Sequence, residues 1–160
     1  MTGPTIPTGD LHDFDFFAGT WSVANRRLKT RWVGSAEWDE FPGTCRCALH
    51  MGGVVNVDEI AFPTRGFSGM TVRLFDRARR RWSIYWINSE RGVLEPPVHG
   101  GFNGDRGEFF GDDIDAGRPV KVRFLWTRRG SDGARWEQAF SLAGQAWEWN
   151  WSMDFTRVAA

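Results

Sequence analysis

Four runs in the second half of the chain alternate apolar and polar residues with a period of two. They are RWSIYWIN at 81–88, PVKVRFLWT at 119–127, ARWEQAFSL at 134–142 and AWEWNWSMDFT at 146–156. A period of two belongs to a β-strand with one buried face, whereas a helix repeats every 3.6 residues. Trp, Phe and Val fill the apolar positions, and these side chains suit a pleated surface. Turn signals separate the runs: Asp76-Arg77-Ala78-Arg79-Arg80, Gly130-Ser131-Asp132-Gly133 and Ala143-Gly144. The same alternation continues through 20–33, 35–41, 44–51, 54–62, 69–75, 99–104 and 107–114, with a Pro42-Gly43 turn and a Gly52-Gly53 break.

One segment departs from this pattern. In residues 10–19 Asp10 is placed as an N-cap, Leu11, Phe14 and Phe17 recur every three residues, and Gly19 is a stop signal, which predicts a short helix. No other helical segment exists to cover an open sheet. About 8–10 antiparallel strands at short spacing therefore predict an all-β, closed up-and-down barrel with a short N-terminal helix. Residues 1–9 read as a flexible arm and 10–160 as a single barrel domain.

Composition narrows the function classes. Ten Trp, thirteen Phe and one Tyr in 160 residues supply enough ring surface to offset chain entropy, so the chain is not disordered. No apolar run approaches ~18 residues, so no helical membrane span is expected. Twenty basic residues balance twenty acidic ones, which gives no global support to nucleic-acid binding. Cys45 and Cys47 lie two apart on a predicted strand, a spacing that suits a disulfide poorly. The opening MTGPTIPTGD lacks the basic and apolar regions of a signal peptide. Reduced thiols and a cytoplasmic location are the expectation.

Motifs for known chemistries are few. There is no Gly-x-Ser-x-Gly, His-Glu-x-x-His, phosphate-binding loop or Cys-x-x-Cys. Asp112, Asp113 and Asp115 lack the glutamate that completes a calcium loop and read as a solvated turn. The predicted C-terminal strands hold no His to ligate a haem iron, so neither metal nor cofactor is expected.

A two-residue turn at Ala143-Gly144 would pair Phe140 with Trp147, Gln138 with Trp149 and Trp136 with Trp151. One face would then carry Trp136, Phe140, Trp147, Trp149, Trp151, Met153 and Phe155, and the other Arg135, Glu137, Glu148, Asn150 and Asp154.

Gly19-Thr20-Trp21, opening the first strand after the short helix, resembles the Gly-x-Trp signature of lipocalins and the wider calycin superfamily, in which the Trp closes one barrel end. Further segments resemble a bacterial lipocalin-like family catalogued only as a domain of unknown function. They are Asn56-Val57-Asp58-Glu59, Arg73-Leu74-Phe75-Asp76, Trp82-Ser83-Ile84-Tyr85-Trp86, Pro96-Pro97-Val98, Arg118-Pro119-Val120-Lys121-Val122-Arg123-Phe124, Arg135-Trp136-Glu137-Gln138-Ala139-Phe140-Ser141 and Trp147-Glu148-Trp149-Asn150-Trp151. The resemblance spans residues 14 to about 157. It implies a calycin-type barrel with an internal pocket and no particular activity.

Which face lines the lumen is open at this level. If the aromatic stripe points inward, Arg123, Glu137 and Asn150 are surface residues. If it points outward, it forms a patch large enough to bury against a second subunit. A Trp21 that closes the barrel from inside would put Asn25 and Arg27 in the lumen. The polar-lumen reading gathers Arg27, Arg73, Arg123, Glu137 and Asn150, with Asn56 and Asp58 on one strand face and Trp86 as a flat wall; His99 and Trp151 are further candidates. An unpaired Arg there would select a carboxylate or phenolate. Glu137 or Asp58 in apolar surroundings would be suited to general acid–base work. The expected function is binding of a small apolar or aromatic metabolite. The alternatives are a cofactor-free isomerase or cyclase using Glu137 or Asp58, and a structural homodimer module.

Overall fold

The computed structural model describes residues 4–143 and 146–159. Ten antiparallel strands follow one another around a closed barrel, each bonded to its sequence neighbours, with β1 closing onto β10. They are β1 (Gly19–Leu28), β2 (Trp38–His50), β3 (Val55–Phe62), β4 (Phe67–Asp76), β5 (Arg81–Asn88), β6 (Val98–Asn103), β7 (Arg106–Asp115), β8 (Arg118–Arg129), β9 (Gly133–Ser141) and β10 (Glu148–Arg157). The all-β, up-and-down closed barrel read from the alternation is the observed fold. Met1–Gly3 of the expected arm, and Gly144 of the expected turn, lie outside the described residues.

Three local expectations are corrected. The expected 10–19 helix is a set of turns ending in a single 3-10 turn, Asp15–Phe17. Asp13 turns its carboxylate to the backbone N–H groups of Asp10 and Phe102, anchoring this segment to the barrel instead of extending a helix. Pro42-Gly43 is no turn but lies within β2. There β2 bonds to β1 (Ala24 opposite Pro42) and its pairing with β3 begins only at Thr44, so the missing proline N–H can face an unpaired side. The Asp112–Asp115 stretch is no solvated turn either: β7 runs through to Asp115, whose side chain is buried.

The register of β9 and β10 also differs from expectation. Glu148 lies opposite Phe140, Trp149 opposite Ala139 and Trp151 opposite Gln138, with a bulge between Trp149 and Trp151. A bulge inserts one residue and reverses the inside–outside alternation beyond it. The aromatic stripe is split as a result. Trp136, Trp151, Met153 and Phe155 face inward, while Trp149 covers the outer face beside Arg123 and Trp147 packs against Phe110.

The lower end of the barrel is plugged. Phe14 and Phe17 are fully buried and meet Trp82, Phe102 and Trp126 edge-to-face at centroid distances of 5.0–5.9 Å. Trp21 stacks on Phe17 and donates its indole N–H to the Phe17 carbonyl at 2.9 Å. Outside it, the Arg157 guanidinium lies 4.2 Å from the Trp21 ring and donates to the Phe16 and Ala18 carbonyls. Trp21 thus closes this end from within, as the Gly-x-Trp resemblance implied.

Candidate functional site

Above the plug the lumen is a cavity of about 850 Å³ that reaches the opposite, upper end of the barrel. Its walls follow from strand register. Asn56 and Arg73 are partners across β3 and β4, as are Asp58 and Thr71, and Thr71 faces Trp86 on β5. On the other side Phe124, Gln138 and Trp151 are successive partners across β8, β9 and β10, and Arg27 on β1 is the partner of Trp151. All these positions share the inner parity, so the lumen has a polar wall and an aromatic wall facing each other.

The polar wall is centred on an ion pair. Arg73 Nη2 lies 2.6 Å from Asp58 Oδ2, and both side chains are nearly inaccessible to solvent. Arg73 Nη1 donates to Asn56 Oδ1 at 2.7 Å, and the Cys47 thiol donates to the same oxygen. Asn56 in turn donates to the Phe14 carbonyl, which ties the network to the plug. The guanidinium is also 5.0–5.5 Å from the Phe14, Phe17 and Trp126 ring centres. Burial pushes the Asp58 carboxyl above its ordinary value, against the pull of Arg73 and a Thr71 hydrogen bond. Burial also pushes the Cys47 thiol up to about 11 and Cys45 higher, which disfavours the thiolate at both free cysteines.

Trp86, beside Thr71 on the polar side of the lumen, depends on one glycine. A Cβ on Gly69 would lie 1.9 Å from the Trp86 ring, so only the absence of a side chain lets Trp86 rest flat against β4. Opposite, Trp151 donates its indole N–H to Asn25 Oδ1 at 3.1 Å and packs edge-to-face against Trp136. The Arg27 guanidinium stacks over the Trp151 ring at 4.4 Å.

The mouth is built by loops. Residues 29–37 fold across it, with Arg31 donating twice to Asp115 and Trp32 donating its indole N–H to the same carboxylate at 2.9 Å. The Trp32 backbone N–H, at a φ of 70°, binds the Glu148 carboxylate. The Arg31 hydrogen bonds hold Asp115 below the usual carboxylate range. β5 and β6 pair only between Trp82–Ile84 and Val98–Gly100, and Val93, Leu94 and Pro96 of the loop at 89–97 line the gap beyond.

The sequence candidates are therefore divided. Arg27, Asp58, Arg73, Trp86 and Trp151 line the cavity, and Asn56 supports Arg73 from beneath. Asn150 occupies the bulge, buried and accepting from Gln138 at 2.8 Å. Arg123, Glu137 and His99 are on the outer face. Arg123 pairs with Glu108, Glu137 with Arg135, and His99 with the Ser83 hydroxyl. Burial and Arg81 lower the His99 pKa. Arg31, Thr71 and Gln138, absent from the sequence candidates, also line the cavity, as does Asp115, which the sequence assigns to a solvated turn. Asp115 shares its strand face with Phe109, a parity visible in the sequence; the position of Arg31 depends on a loop and was not.

No family model matches this chain, and no curated protein matches it. No helix among the described residues is long and apolar enough to cross a membrane. Among the described residues, no group of three or more His, Cys, Asp or Glu side chains is placed to hold a metal ion.

Proposed function

We propose that this chain is a lipocalin-like, small-molecule-binding barrel whose lumen takes a small apolar or aromatic metabolite, and that it is related to the bacterial family its Trp-rich segments resemble. The observation that carries the reading is the cavity of about 850 Å³, plugged below and open above, with Trp86, Phe124, Trp136 and Trp151 on its walls. Small-molecule sites commonly occupy roughly 300–1,000 Å³ and combine apolar walls with a few convergent polar groups. Each ligand CH₂ buried there contributes about 0.8 kcal/mol. Two buried free thiols support a reducing, cytoplasmic compartment.

The test is a fluorescence titration with N-phenyl-1-naphthylamine, a neutral aromatic dye that brightens in apolar surroundings. Saturable one-to-one binding is expected. Val122→Trp, which fills the lumen from the β8 wall, should weaken it by about tenfold or more while the circular dichroism of the barrel is retained. Absence of saturable binding overturns the reading.

A second reading, cofactor-free proton transfer, rests on Asp58, a carboxyl on the cavity wall whose burial favours the protonated form. Glu137, on the outer face, has no part in it. A turnover assay in which Asp58→Asn keeps the full rate would remove it.

A further inference from the structure

We infer that the ligand carries one acidic group, a carboxylate, sulfonate or phenolate, and that Arg27 receives it at the mouth with the apolar body pointing down the lumen. The inference rests on the small-molecule reading above and narrows its ligand class. Of the basic side chains on the cavity wall, Arg31 is spent on Asp115, Arg73 on Asp58 and Arg91 on Glu95. Arg27 has no carboxylate within ion-pair distance among the described residues, although it is partly buried. The carboxylates that act on it from further off are those of Glu90, which is exposed, and Asp39, which is paired with Arg65.

Its position is fixed rather than incidental. Asn25 orients the Trp151 indole, and that ring carries the Arg27 guanidinium on its face. A guanidinium lying over a ring face keeps the N–H donors at its own edges free, and these suit an oxyanion. Burial and the neighbouring Arg31 both disfavour the charge on Arg27, and an incoming anion relieves both costs. The opposite end of the cavity selects differently. Asp58 already neutralises Arg73, so a second anion reaching the floor would meet a carboxylate without a free cation. The site is thus shaped for a monoanion with its charge at one end, and against a molecule charged at both ends.

The experiment compares two dyes that differ by one acidic group. They are 1-anilinonaphthalene-8-sulfonate and its uncharged counterpart N-phenyl-1-naphthylamine, titrated into the wild-type protein, Arg27→Met and Arg27→Lys. The wild type should prefer the sulfonate by about tenfold or more, the range of a charge-assisted hydrogen bond. In Arg27→Met the ratio of the two dissociation constants should collapse toward one, and Arg27→Lys should restore part of it. Equal affinities in the wild type, or a preference that survives in Arg27→Met, would overturn the anion inference while leaving the pocket reading standing. Failure of either dye to bind the folded wild type would overturn the pocket reading itself.

Discussion

The two ends of this barrel are finished in different ways. At the lower end Phe14, Phe17 and Trp21 interlock with Trp82, Phe102 and Trp126, and Asp13 binds the backbone of Phe102. At the upper end the chain crosses the mouth on charged contacts: Arg31 and Trp32 on Asp115, and the Trp32 N–H on Glu148. Ring packing is dry and insensitive to salt or pH, while charge pairs at a partly exposed rim depend on both. The proposed binding of a small apolar ligand would use that asymmetry, with the floor shut by rings and the rim held by charge pairs. The difference teaches where stability and where access reside.

The largest effect should come from the floor. Phe14→Ala removes a fully buried ring and should cost about 3–5 kcal/mol in urea denaturation, with unfolding still cooperative. In mid-barrel, Arg73→Met leaves Asp58 buried without its cation and should cost about 3 kcal/mol. Adding Asp58→Leu to it should recover most of that loss. A smaller effect is expected on the wall: Gly69→Ala pushes Trp86 off β4 and should weaken dye binding more than it lowers stability, by about tenfold in affinity.

At the rim the effect is local and depends on pH. Asp115 is held below the carboxylate range, so its stabilising contribution is present above about pH 4 and is lost as pH falls through its lowered native value. Amide protection in residues 29–37 should therefore fall on acidification before protection in residues 14–21 does. Asp115→Asn should lower the 29–37 protection already at neutral pH. Loss of both regions together would erase the distinction between the ends. The smallest effect should be on the outer face, where Arg135→Ala breaks partly exposed pairs with Asp154 and Glu137 and should cost less than about 1 kcal/mol.

Much of this was legible in the sequence, because a barrel strand records its two faces residue by residue. The parity of Trp21, Asn25 and Arg27 placed Arg27 in the lumen, and that of Asn56 and Asp58 gave the polar wall. The question of a polar or an aromatic lumen had no single answer: β3 and β4 bring polar groups inward, and β8, β9 and β10 bring rings. The order of the last hairpin was not legible. Trp147, Trp149 and Trp151 keep perfect alternation, and the bulge that sends the first two outside leaves no mark in that pattern. Residues 20–33 read as one strand, yet β1 ends at Leu28, so Arg31 and Trp32 belong to the mouth. Long-range contacts with Asp115 and Glu148 decide that ending.

The central claim is that the inward half of the divided tryptophan set lines a ligand cavity. A crystal structure of the protein with N-phenyl-1-naphthylamine tests it most directly. Dye density inside the barrel, between Trp86, Trp136 and Trp151, is the predicted result; an empty lumen with dye only on the outer face beside Phe110, Trp147 and Trp149 would contradict it.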